Sequence, residues 1–141
     1  MTTGKTPHID HLNIDALAKL PDEGPVVMLN LMRFRAKALT GEGTGEEAYL
    51  RYSALAIKQI KTQGGTIIWT GKPETVALGL AEQNEWDYVA LVQYPSRAAF
   101  IAMMTSPDYA PANAERLSGC AKHTIIAVRE TYRKFQPKQE Q

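Results

Sequence analysis

At 141 residues the chain has the size of one ordinary domain, long enough to bury roughly two-thirds of the surface its unfolded form exposes. Its 44% hydrophobic and 22% charged content is that of a globular protein, and a net charge of +1 without a run of one sign argues against a dedicated nucleic-acid binder. No stretch approaches a membrane span, residues 1–10 lack the apolar core of a signal peptide, and the single cysteine, Cys120, excludes an internal disulfide and a cysteine-based zinc site. A cytoplasmic location is the default expectation.

One domain is expected over residues 1–141, with a folded core from about 10 to 133 and polar tails at 1–8 and 136–141. After the first tail, Leu12, Ala16, Leu17 and Leu20 fall at helical spacing, with Asp10 as the N-cap and the Pro21-Asp22-Glu23-Gly24 run ending the segment. Residues 25–34, PVVMLNLMRF, read as a buried strand. A Gly-rich loop follows, and Glu46 and Glu47 suit the first turn of a helix that carries Tyr49, Tyr52, Ala56 and Ile60 on one face and stops at Gly64-Gly65.

The TIIWT run at 66–70 is a second strand, with a bend or bulge expected at Gly71-Lys72-Pro73 and residues 74–80 continuing the excursion. A turn at Glu82-Gln83-Asn84 leads into a third strand, 86–94, paired antiparallel with the second. Ser96 caps a further helix, and Ser106-Pro107 restarts it. Gly119 closes it, and residues 122–132 form the last strand. The order β-α-β-β-α-β behind an N-terminal helix is the split βαβ arrangement of a ferredoxin-like α+β fold, with helices on one face of an antiparallel sheet. Val27, Leu29 and Leu31 oppose Val26, Met28 and Met32, and Val89 and Leu91 oppose Ala90 and Val92. Both sheet faces are therefore apolar, and a second copy of the chain is expected to cover the face without helices.

The run VVMLNLMRFR (26–35), Ala48-Tyr49 with Tyr52, Gly64-Gly65, Trp69-x-Gly71, Trp86-Asp87, Tyr94-Pro95-Ser96-Arg97, Phe100, Met103, Pro107 with Tyr109, and Arg116 stand in an order that resembles the family called domain of unknown function 1330, within the dimeric α+β barrel superfamily. The resemblance spans about residues 24–128. It implies a ferredoxin-like subunit and a homodimer. It supplies no activity: the superfamily mixes cofactor-free monooxygenases, polyketide-processing enzymes, haem-binding proteins and members with no known reaction, and fold alone does not carry function.

Among candidate site residues, Asn30 is polar within an apolar strand; it either holds a substrate carbonyl or enolate oxygen or makes a structural hydrogen bond. Arg33 and Arg35 end that strand, as a carboxylate clamp or as surface ion pairs, and Arg33 shares parity with Leu31, opposite to Asn30. Tyr52, with Tyr49, either lines a pocket or packs with its hydroxyl at the rim. Trp69 and Trp86 offer stacking surfaces or plain packing, and Asp87 a turn contact. His123, opening the last strand, is the best single candidate for proton transfer, against simple solvation at a strand end. Tyr109 and Arg116 are seven apart and so share a helix face, closing a pocket or tying helix to sheet. Met103 and Met104 fit an adaptable wall or the core, and Cys120 a small buried position. His8, Asp10 and His11 do not amount to a metal site, and nucleotide-binding, P-loop and nucleophile-elbow motifs are missing.

These residues point to a small-molecule pocket between sheet and helices, lined by Asn30, Tyr52, Trp69, Tyr109, Arg33, Arg116 and His123, with no metal or organic cofactor. As an enzyme it would abstract a proton beside a carbonyl, with His123 as base and Asn30 on the oxyanion, leading to isomerisation, cyclisation or oxygenation. A non-catalytic ligand-binding or structural homodimer is the rival. Haem binding through His123 is a third reading borrowed from the superfamily.

Overall fold

The computed structural model describes residues 11–21 and 24–134. Helix α1 (Ile14–Lys19) precedes strand β1 (Val26–Phe34), helix α2 (Gly45–Thr62), strands β2 (Thr66–Gly71) and β3 (Tyr88–Tyr94), helices α3 (Arg97–Thr105) and α4 (Ala110–Gly119), and strand β4 (Cys120–Val128). The strands lie in the order β2-β3-β1-β4, every neighbour antiparallel. This is the ferredoxin-like α+β arrangement expected from the element order.

Local chemistry accounts for the boundaries. Thr44 and Glu47 form a reciprocal capping box at the start of α2, the Thr44 hydroxyl accepting from Glu47 N–H and the Glu47 carboxylate accepting from Thr44 N–H. Gly64, at φ +79°, ends the helix. Ser96 caps α3 through Ala99 N–H, and Ser106 restarts the chain with a 3-10 turn over Pro107–Tyr109. Five expectations need correction. Asp10 lies outside the described residues, and Asn13 stands at the N-cap position of α1. β2 ends at Gly71 and residues 72–80 form no strand, because Pro73 has no N–H for a ladder. β3 starts at Tyr88 rather than Trp86, and β4 ends at Val128. The bulge in β2 falls between Ile67 and Trp69, not at Gly71–Pro73.

The core lies between the sheet and the helices. Met28 and Met32 of β1, Val92 and Tyr94 of β3, Ile60 of α2, and Phe100 and Met103 of α3 are all buried there, each large side chain contributing on the order of 1.5–3 kcal/mol by leaving water. The opposite face carries Leu29, Leu31, Val89 and Leu91, all only partly covered, with Trp69, Ile126 and Val128 exposed. At the far end, the start of α2 and the end of α4 touch backbone to backbone. Arg35 N–H donates to Gly119 C=O at 2.8 Å and Gly45 N–H donates to Arg35 C=O at 3.0 Å. A methyl group on Gly119 would sit 2.5 Å from the Gly45 carbonyl oxygen and 2.9 Å from Tyr49 N. Gly119→Ala is therefore expected to destabilise the fold by about 1–3 kcal/mol despite alanine's better helix propensity. Urea unfolding checks this, and a change below about 0.5 kcal/mol would contradict the close approach.

Candidate functional site

Register brings together the two buried polar side chains of the described strands. Asn30 lies opposite Ile125 and Met32 opposite His123, so Asn30 and His123 are diagonal neighbours on the helix side of β1 and β4. Asn30 Nδ2 donates to the Met28 carbonyl at 3.1 Å, which turns its Oδ1 toward His123 Nε2 at 2.9 Å. On the other side of the ring, Arg116 Nη1 stands 3.3 Å from His123 Nδ1. Arginine only donates, so Nδ1 accepts and Nε2–H donates: the two neighbours select one neutral tautomer. Asn113, one turn earlier on α4, takes bonds from Arg116 Nε at 3.0 Å and Nη2 at 2.6 Å on its Oδ1. The guanidinium also bonds the Tyr109 hydroxyl, which lies 3.1 Å from the Tyr52 hydroxyl of α2. A continuous polar chain thus runs from β1 through β4 and α4 to α2, with Asn30, Arg116, His123 and Tyr109 all buried.

Burial, and secondly the Arg116 charge, push the His123 imidazolium down to about 3, so the ring is neutral at physiological pH. Burial raises the Tyr52 and Tyr109 phenols, so both keep their protons at neutral pH; at Tyr109 the bonds to Tyr52 and Arg116 oppose that rise. The Cys120 thiol is raised to about 11 by burial, against the pull of Arg116 and Arg35, and is an inert core group.

Arg116 and His123 form the polar floor of a cleft of about 350 Å³, at the small end for ligand sites. Leu12, Ala16, Leu17 and Leu20 of the α1 segment roof it, Met28, Ile125 and Ala127 wall it from the sheet, and Phe100 and Met104 wall it from α3. Arg97 Nη1 donates to the Pro21 carbonyl at 2.8 Å and moors the segment that follows α1 to the start of α3.

Five of the expected site residues, Asn30, Tyr52, Tyr109, Arg116 and His123, are joined in the one chain. Only Arg116 and His123 border the cleft. Asn30 has its amide turned to Met28 and His123, which makes it a positioning group rather than an oxyanion donor. His123 is a poor general base, since its accepting nitrogen faces a cation and its conjugate acid forms only near pH 3. Both its nitrogens are engaged, so ligation of haem iron would require breaking a buried bond. Arg33 is exposed on the open sheet face across from Lys122. Trp69 is also on that face: the bulge pairs it with Leu91, whereas an unbroken register would have set it opposite Ala90 on the helix side. Its ring lies over Gly71. Asp87 accepts from Phe34 N–H at 2.8 Å, across strands rather than within its own turn. Asn113 was not foreseen; the Asn113-x-x-Arg116 spacing on a helix was the signal for it.

Below about pH 6.5 an unfolded chain takes up a proton at this imidazole that the folded chain refuses until about pH 3. Its contribution to stability is therefore full above pH 6.5 and is lost as pH falls through that window. His123→Gln should flatten the acid limb of the stability curve by up to about 1.4 kcal/mol per pH unit between those limits. Urea unfolding at stepped pH measures it, and parallel limbs for both proteins would contradict the burial of a neutral ring.

Comparison with known proteins agrees with this architecture. A protein of unknown function from Rhodopseudomonas palustris has a similar crystal structure at 33% identity, with a TM-score of 0.79 over 91% of this chain and 100% of that one. A dimeric ferredoxin-like protein of unknown function from Jannaschia sp. is similar in fold at 14% identity, TM-score 0.55, over 76% of this chain and 100% of the other. SnoaB, a cofactor-independent oxygenase from Streptomyces nogalater, is similar at 12% identity, TM-score 0.51, over 79% and 100%. No curated protein matches the sequence. The pattern that defines the family described as Domain of unknown function (DUF1330) matches residues 40–131, and the chain belongs to that family.

Proposed function

We propose that the protein binds a small, mostly apolar molecule in the cleft beneath α1, and that two copies pair through the open sheet face. The observation that carries the binding reading is the convergence of apolar walls on two buried polar side chains, Arg116 and His123, the usual build of a small-molecule site. The pairing is supported by the row of Leu29, Leu31, Leu91, Trp69, Ile126 and Val128 left partly or fully in water, and by the fold shared with a dimeric protein.

Turnover without a metal or organic cofactor is a second reading. Arg116 favours it, because a fixed cation in a cleft of low dielectric stabilises an enolate or other developing oxyanion. In that reading Arg116 is the catalytic group and His123 and Asn30 hold it in place. The cofactor-independent oxygenase that shares the fold lends support in kind only.

A screen of fluorinated fragments by ¹⁹F NMR, mapped through backbone amide shifts, tests the binding reading. Hits should move Met28, Ile125 and Ala127 and should disappear in Ala127→Trp, which fills the cleft. Hits that map elsewhere, or persist in that variant, would contradict it. For the pairing, light scattering should give a dimer for the wild type and a monomer for Ile126→Asp. A wild-type monomer would refute it.

A further inference from the structure

Resting on the binding reading above, we infer that the ligand's recognised head is a single carboxylate, carried on a short hydrocarbon or aryl body. Among the described residues the cleft is bordered by Arg116 and by no aspartate or glutamate, so its field is positive and favours an anion over a neutral group of the same shape. Arg116 is fixed in advance of binding. Asn113 Oδ1 holds its Nε and Nη2 at 3.0 and 2.6 Å, and His123 holds Nη1 at 3.3 Å. A preorganised charge loses little freedom when it meets its partner, and a charge-assisted bond in a partly dry site is worth roughly twice a neutral one.

His123 adds no second positive charge. Its Nδ1 is taken by Arg116 and its Nε2–H by Asn30, so protonation would have to break the contact that orients the arginine. Arg116 is therefore the one arginine or lysine that borders the cleft among the described residues, with His11 and Asn13 as the further polar side chains of the lining. A phosphate dianion would bring more charge and more acceptor oxygens than this floor can match, leaving part of its charge uncompensated against leucine and methionine walls. A monoanionic carboxylate is matched by one guanidinium. Leu12, Leu17, Met28, Phe100, Met104 and Ala127 supply hydrocarbon and aromatic surface, and the small volume limits the body to a short chain or one ring.

The test titrates the full-length protein with hexanoate, octanoate and phenylacetate, each beside its primary amide, with inorganic phosphate as a third arm, following amide shifts at Met28, Ile125 and Ala127. The expected result is that at least one carboxylate binds roughly tenfold or more tightly than its amide, that high salt erodes the preference, and that phosphate does not move these signals. Arg116→Gln, with spectral dispersion as the check on folding, should bring acid and amide to equal affinity. The wild-type comparison decides the matter even where that variant does not fold. Equal binding of acid and amide at the cleft would overturn the carboxylate assignment and leave the binding reading standing. Phosphate binding at the cleft would overturn the monoanion assignment. No binding of either partner in all three pairs, with fragments silent at the cleft, would overturn both.

Discussion

The rest of the site depends on the neutral His123 ring held between Asn30 and Arg116. An imidazole buried among methionines and leucines costs several kcal/mol if either nitrogen lacks a partner, and a guanidinium there costs more. Both costs are met by the same arrangement. Asn30 supplies the acceptor for one ring nitrogen, Arg116 the donor for the other, and Asn113 and Tyr109 take further bonds from the guanidinium. Such a chain is stable only as a whole, because each partner's removal strands the next. It also joins by side-chain hydrogen bonds elements that pack together in the core: β1 and β4 of the sheet, α4 above them, and α2 through the Tyr109–Tyr52 pair. Register and helix position are thereby specified together.

The polar chain meets the cleft at Arg116 and His123. Asn30 and Tyr109 are buried behind them, and Tyr52 and Asn113 are partly covered. A polar floor held by hydrogen bonds, below walls that adapt through Met28 and Met104, would orient a bound molecule from the floor and hold it by the walls. The roof is made by the α1 segment, which precedes the family-matched residues 40–131. The floor residues Arg116 and His123 lie within that match.

Much of this was legible from the residues. Asn30 stood out as a polar side chain in an apolar strand, Tyr109 and Arg116 shared a helix face by their spacing, and strand parity set Arg33 away from Asn30. The stripe Leu12, Ala16, Leu17, Leu20 was visible too, yet a stripe says that a surface is covered and not what covers it; these four residues roof the cleft. Two things were illegible. Trp69 changed faces because one extra residue entered β2 at Ile68, and neither propensity nor alternation marks where a bulge falls. His123 looked like a base because histidine ordinarily titrates near neutrality. Its burial and its arginine neighbour, both products of tertiary packing, put that role out of reach.

The most direct test of the account is the ¹⁵N NMR spectrum of the His123 side chain across pH. The account predicts a neutral ring with the proton on Nε2, an accepting Nδ1, and no titration from pH 8 down to about pH 4. A ring that protonates near pH 6.5, or that carries its proton on Nδ1, would contradict the Asn30–His123–Arg116 chain and with it the fixed floor of the cleft.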